Sequence, residues 1–595
     1  MSKPKATALA AAGTVIALLL AACGSSASSG GSGGSTKPAG TAGSGSAAFN
    51  AGVSSVVNPS THQGGTLSMA LTSTPDSTDP GNTYYAFMWN FTRLYAMPLM
   101  TYKSCTGACG LELTPNLATA PGVVSNNGLT WTYHIKPNVK FDTGATVTAQ
   151  DVKYAVERTY ARGVLTNGPT YFQTLLADPT YPGPYKDKAK NRMGLTSVTT
   201  PDATTVVFHL AKPFADFNYI VAIPQTAPVP PSADTGAQYQ LHPVSTGPYK
   251  FQSYQLNKQL TLVRNTYWNA AADPVAKQLL DKVTVTMNVN ANDIDNRQIA
   301  GVLGLDMDGT GVQAATRARI LTTPSLKTAS DDPVSGFSWL TYIVNNVPPF
   351  NNINCRRAVQ YAANKTSLQT AYGGPYAGTV ASTMLPPNVV GYKSFDQYGA
   401  LSKPAGDVAL AKQALTACGH PSGFATSVAY RTDRPKEASA AQALQASLAV
   451  VGIRVTLRGF PSGSYYSNFA GVPRYMQQHG IGLALGGWAA DFPDAWGFLD
   501  GIANGNAISQ TGGNSNIGLL NDPVVNGMLA KFQATLDPAA RSAMSSLIDQ
   551  QVMKDSVMLP MVYAKSLMYR NPNLTNVYVQ PSYGMYNYAV LGVKK

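Results

Sequence analysis

Charge is scarce in this sequence. Only 12% of its 595 residues are Asp, Glu, Lys or Arg, about half the fraction usual for soluble globular chains. The formal net charge of +13 is dispersed; without a run of five or six Lys/Arg, a nucleic-acid partner is excluded. Histidine is also rare, and His62, His134, His209, His242, His420 and His479 never pair at helical spacing. There is no phosphate loop, no His-Glu-x-x-His and no Gly-x-Ser-x-Gly elbow between a strand and a helix. Leu305-Asp-Met-Asp-Gly309 has the start of a calcium loop but lacks the later ligands. The usual carriers of catalysis, cofactor binding and structural metal are therefore missing, and neither an enzyme nor a cofactor or metal site is expected.

What is present is apolar and small-polar. With 44% hydrophobic residues, the chain is globular and too long for a single core, so two or three domains are expected. Lys3 and Lys5 precede an apolar stretch from Ala6 to Ala22. That stretch is short of the roughly 20 residues a spanning helix needs and reads as an export signal over 1–22. Residues 23–61 are dominated by Gly, Ser, Ala and Thr, above all as far as Pro59. Such a segment buries too little apolar surface to offset chain entropy; about 35 residues of it span roughly 30–35 Å as a flexible linker.

Five cysteines occur: Cys23, Cys105, Cys109, Cys355 and Cys418. In an exported chain the last four suggest two disulfides, with three connectivities open. Gly107 allows a tight turn between Cys105 and Cys109, which favours the local pair and leaves Cys355 with Cys418. A zinc site is the alternative, with no His near the close pair.

Along the chain, Trp131-Thr-Tyr-His-Ile135 alternates as a strand with one buried face, and Thr148-Ala-Gln-Asp151 opens a helix. Residues 165–190 read as an excursion. From about 330 to 530 strands and helices alternate, as in a wound α/β domain. Within it, the apolar run Ile481–Leu485 exits into Gly486-Gly-Trp-Ala-Ala-Asp-Phe-Pro-Asp-Ala-Trp496. Two indoles and two carboxylates thus sit at one strand exit, where α/β sheets place their ligands. Asp494 reads as the cap of a helix beginning near Ala495, and Asp491 as the residue facing a ligand.

Leu20-Ala-Ala-Cys23 resembles the lipobox of bacterial lipoproteins, which implies cleavage before Cys23 and its lipidation. Thr130-Trp-Thr-Tyr-His-Ile-Lys-Pro-Asn-Val-Lys-Phe141 with Val147-Thr-Ala-Gln-Asp-Val152 resembles the signature of the family 5 extracytoplasmic solute-binding proteins. Ser245-Thr-Gly-Pro-Tyr-Lys-Phe251, Pro348-Pro-Phe350 with Arg356-Arg-Ala-Val359, and Gly487-Trp-Ala-Ala-Asp491 extend the likeness over 64–595. Asp142-Thr-Gly144 departs from the family's Asp-Gly, and the Cys pairs and 165–190 are not general to it.

The resemblance implies an α/β, two-lobed periplasmic-binding-protein-like fold of class II, with an extra small domain in the first lobe. Lobe I would comprise 62–100, 200–325 and 551–595, the extra domain 101–199, and lobe II 326–550. It further implies a monomeric, lipid-anchored protein on the outer face of the bacterial cytoplasmic membrane. That protein would capture an oligopeptide between its lobes and deliver it to the permease of an ABC importer. In peptide-binding relatives the Asp matching Asp491 pairs with the peptide amino terminus. The loop Thr74–Pro80, with Tyr84 and Tyr85, resembles the family's first cleft loop.

Trp488 and Trp496 are candidates for stacking on a ligand or for packing in a core. Arg431 and Arg434 leave a strand end and are candidates for holding a ligand carboxylate, or for pairing with Asp433 in a solvated loop. An oligosaccharide ligand is the runner-up, and a secreted lipid-anchored hydrolase the reading from another class.

Overall fold

In the computed structural model the described residues are 48–594, apart from 433, 462, 463, 511 and 512. The export signal, Cys23 and the linker as far as residue 47 lie outside them. Residues 48–61, expected as linker, are corrected to part of the folded body. Gly52 N–H donates to Asp331 Oδ1 at 2.9 Å, Asn50 N–H to the Ser330 carbonyl at 3.0 Å, and Val57 pairs with Val577. A composition of small residues hid these backbone bonds and the buried Val57.

Three sheets organise the body. The first has five strands in the order Leu305–Asp306, Thr66–Ala70, Lys282–Thr286, Gln259–Arg264, Tyr249–Gln255. Thr66–Ala70 runs parallel to both of its neighbours, and the remaining pairs are antiparallel. Leu67, Met69, Leu260, Leu262, Val283 and Val285 form its core, joined by Val577, Val579, Tyr586 and Tyr588 from the C-terminal segment.

The second sheet is antiparallel, in the order Val123–Ser125, Thr130–His134, Thr205–His209, Val198–Asp202. Trp131 and Tyr133 point into its core while Thr130, Thr132 and His134 do not, as the alternation predicts. The helix Ala149–Thr159 covers it with Val152 and Val156. Asp151 Oδ2 accepts the Thr148 N–H and hydroxyl, each at 2.8 Å, which fixes the helix start. The expected end of this unit at 199 is corrected: Val206, Phe208, Phe214, Phe217 and Ile220 complete the same core.

The third sheet has six strands in the order Gly378–Val380, Met558–Lys565, Val334–Ile343, Leu483–Ala489, Ala425–Arg431, Arg454–Phe460. Ala425–Arg431 runs parallel to both neighbours, and the other pairs are antiparallel. The helices Ile353–Ala362, Val408–Ala417 and Pro435–Ala449 cover one face. Ala495–Ala503, Pro523–Ala534 and Pro538–Asp555 cover the other. Met558–Lys565 was expected with the first sheet. It lies inside the third, paired on both edges and buried from Met558 to Tyr563, so the boundary expected at 550 moves to about 566. Its Pro560 can donate no ladder bond, and the pairing with Val334–Ile343 shifts register at Leu340.

Disulfides join Cys105 to Cys109 and Cys355 to Cys418, with Cα–Cα distances of 5.8 and 5.4 Å. The second ties the helix Ile353–Ala362 to the end of Val408–Ala417.

Candidate functional site

The strand Leu483–Ala489 is central in the third sheet, flanked by Val334–Ile343 and Ala425–Arg431. Gly487 within it is a glycine for steric reasons: a Cβ there would stand 2.0 Å from the Phe337 ring. The chain then leaves the sheet, and the side chains of Asp491, Phe492 and Asp494 go to different places.

Asp491 reaches Tyr84 and Tyr171. The Tyr84 hydroxyl donates to Asp491 Oδ2 at 2.5 Å, and the Tyr171 hydroxyl donates to the same oxygen. Tyr84 is itself held by Asp76, whose carboxylate accepts the Tyr84 N–H at 2.6 Å and the Thr83 hydroxyl at 2.7 Å. Burial pushes the Asp491 carboxyl above the usual carboxylate range, and the two hydroxyls pull it partly back. Both phenols are pushed up, first by burial and then by the Asp491 charge.

Phe492 is 2% exposed and buried in the core of the second sheet, although it belongs to the loop of the third. Its ring stacks on Tyr219 at 5.1 Å. Asp494 caps the helix Ala495–Ala503, accepting the Trp496 N–H at 2.9 Å. Its other oxygen accepts from Arg541 at 2.9 Å, and Arg541 also grips Asp216. Burial pushes both carboxyls up, and the Asp494 charge adds to this at Asp216, against the pull of the guanidinium.

Two cavities open at this exit. One, of roughly 200 Å³, is walled by Tyr84, Tyr85, Trp89, Tyr102 and Tyr583, with Asp491 the single charged residue among those lining it. The other, of roughly 440 Å³, is walled by Phe337, Tyr342, Tyr466 and Trp488, with Arg431 and Arg434.

The expected residues thus separate. Asp491, Tyr84 and Tyr85 share the first cavity; Trp488, Arg431 and Arg434 share the second. Trp488 donates its indole N–H to the Phe498 carbonyl at 2.7 Å, which fixes the ring. Trp496 lines neither cavity and packs edge-on against Phe214 at 4.8 Å. Arg431 as an open fork is corrected. It is buried, paired with Glu437 (Nε to Oε2 2.9 Å), and lies over the Tyr466 ring at 5.4 Å. Asp433 lies outside the described residues. Arg434 is exposed at the rim. Tyr171, Phe492, Asp216 and Arg541 were not anticipated. Tyr171 stands in a stretch that reads as a surface excursion, and no local pattern marks a partner 320 residues away.

The sequence profile of "Bacterial extracellular solute-binding proteins, family 5 Middle" matches residues 112–510. The chain belongs to that family. The solved structure titled "Clavulanic acid biosynthesis oligopeptide binding protein 2" is 39% identical, with a TM-score of 0.88, covering 92% of this chain and 99% of that one. A peptide-bound DppA from Helicobacter pylori is 21% identical with a TM-score of 0.66, covering 90% and 99% of the two chains. Among curated relatives, the glutathione-binding protein GsiB of Salmonella paratyphi A is 25% identical over 469 residues, 78% of this chain and 83% of that protein. This family 5 member therefore has the α/β periplasmic-binding-protein-like fold of class II. It is a non-catalytic, extracytoplasmic solute-binding protein of an ABC import system. The Asp306 and Asp308 carboxylates are engaged locally: Asp308 Oδ2 accepts the Thr72 hydroxyl at 2.7 Å, and Asp306 Oδ1 accepts the Asp308 N–H at 3.1 Å.

Proposed function

We propose that this protein captures a short oligopeptide for import, with Asp491 pairing with the peptide amino terminus. The observation that carries the reading is one carboxylate in an aromatic cavity, raised by burial and oriented by two hydroxyls. An ammonium group 4 Å away attracts such a charge by about 4 kcal/mol at an effective dielectric of 20. The names of the relatives, an oligopeptide-binding protein and a glutathione-binding protein, support the same ligand class.

In this reading the first and second sheets form one lobe, the third sheet forms the other, and the ligand is enclosed as they close about a hinge. Cys23 carries a lipid, and the segment after it tethers the body to the outer face of the membrane beside the permease.

Calorimetry tests the anchor. Asp491→Asn lowers affinity for free-amine peptides by one to two orders of magnitude and has a much smaller effect on their acetylated counterparts. Equal losses for both sink the amine-pairing role. The aromatic walls of the first cavity also favour a second reading, an oligosaccharide stacked on Tyr85 or Trp89. A thermal-shift screen with mixed peptides and sugars separates the two by which set raises the melting temperature.

A further inference from the structure

The chain crosses from the first sheet to the third and back again, and the two crossings lie side by side. Ser330–Asp331 on the way out pairs antiparallel with Met568–Tyr569 on the way back. So short a pair has little stability of its own, and a hinge concentrates its backbone change in a few such residues. Its support comes from the start of the folded chain. Asn50 N–H donates to the Ser330 carbonyl at 3.0 Å, Asp332 N–H to Asn50 Oδ1 at 2.6 Å, and Gly52 N–H to Asp331 Oδ1 at 2.9 Å. Just past the returning strand, Arg570 donates to the Ala48 carbonyl at 2.9 Å and grips Asp331 with its other terminal nitrogen. Asp331 and Arg570 are both buried.

The fit is close. A Cβ on Gly52 would stand 2.6 Å from Asp331 Oδ2, and Asn50 takes a left-handed backbone with φ of 64°. The two ends of this segment reach different bodies. Phe49 meets Tyr376 edge-on at 6.0 Å, just before the third-sheet strand Gly378–Val380. Val57 pairs with Val577 in the core of the first sheet. Residues 48–57 therefore span the junction as a noncovalent third connection beside the two covalent ones.

We propose that residues 48–57 are a strap that braces the hinge, holding the two crossings as they stand here and limiting how often the lobes part. This rests on the closure of the lobes proposed above. A contact away from the hinge reports it: Ala215 N–H, from the second-sheet unit, donates to the Gln533 carbonyl on the third-sheet helix Pro523–Ala534 at 2.8 Å. That bond lasts only while the two bodies touch, so exchange of its amide measures their separation.

Hydrogen exchange read by mass spectrometry, on the full chain without ligand, tests the brace in the wild type, Asn50→Gly and Gly52→Ala. Asn50→Gly keeps the left-handed backbone and removes the side-chain bond to Asp332, whereas Gly52→Ala pushes Asp331 aside. Overlapping fragments isolate the Ala215 amide. It exchanges about 5- to 10-fold faster in each variant, as the loss of one hydrogen bond at the brace predicts, while the strands Thr66–Ala70 and Ala425–Arg431 keep their wild-type rates. Faster exchange confined to Asp332 and its neighbours overturns the brace and leaves a local packing contact. Faster exchange spread through both core strands overturns it as general destabilisation, and unchanged rates at Ala215 overturn it outright. If the wild-type Ala215 amide exchanges no faster than the core strands, the lobes do not part there and the closure reading falls with the strap.

Discussion

The Tyr84 hydroxyl donates to Asp491 Oδ2 at 2.5 Å across 407 residues of sequence, and the Tyr171 hydroxyl donates to that same oxygen. One acceptor atom therefore links the cleft loop of the first sheet, a short helix beside the second and the strand exit of the third. Because both donors converge on one oxygen, each covers for the loss of the other.

Removing them one at a time should therefore cost less than removing both. Tyr84→Phe and Tyr171→Phe each weaken peptide binding by about 2–3-fold, and the double variant by well over 10-fold. Binding isotherms in a double-mutant cycle check this, and strictly additive losses would show that the hydroxyls act independently. The double variant also loses the two bonds that lower the Asp491 carboxyl. Its affinity for amines then begins to fall at a higher pH than in the wild type as the carboxyl protonates.

Arg541 serves two carboxylates, Asp216 from the second-sheet unit and Asp494 at the strand exit, and all three are nearly buried. Arg541→Ala leaves two buried acids facing each other and costs about 3–5 kcal/mol. Asp216→Asn leaves a one-to-one pair and costs far less. Urea unfolding gives the ranking, and equal costs would show that the ion pairs do not hold these elements together.

Asp549 lies buried on the helix Pro538–Asp555, accepting the N–H groups of Met384 and Leu385 at 2.9 and 3.1 Å. Burial pushes its carboxyl up to about 7. The folded state thus holds a proton that the unfolded chain releases near its ordinary value of about 4. The resulting stability is complete below that value and is lost as pH rises through about 7. Asp549→Asn should flatten the decline in melting temperature across this window; an unchanged slope would assign the decline to other groups.

The two disulfides close loops of very different size, with sequence separations of 4 and 63. By chain entropy the longer one stabilises by about 4 kcal/mol and the shorter by about 2. Replacing Cys355 and Cys418 by Ser should lower the denaturation midpoint more than replacing Cys105 and Cys109, and the reverse order would argue against the entropic account.

Local signals in the sequence reported local structure well. The alternation at Trp131–Ile135, the start of the helix at Thr148 and the cap at Asp494 each depend on neighbours within a few residues, and each is found as read. Periodicity says which face of an element is buried but not what buries it. For that reason Met558–Lys565, carrying Pro560, gave no sign that it would lie inside the third sheet. The meeting of Arg431 with Glu437 was within reach, since the two are six residues apart across a strand-to-helix turn. Asp216 with Arg541, separated by 325 residues, was not.

Phe492 sits in a core built otherwise from residues 97–222. If the two lobes part at this cleft, that ring is withdrawn from Tyr219 and wetted, at a cost of about 2 kcal/mol. A penalty of that size lowers the population of open molecules by roughly 30-fold. If ligand enters only the open form, its entry slows by the same factor, while the same contact also holds the closed, liganded form together. Trimming Phe492 to a smaller residue would then speed both capture and release without altering a single ligand contact.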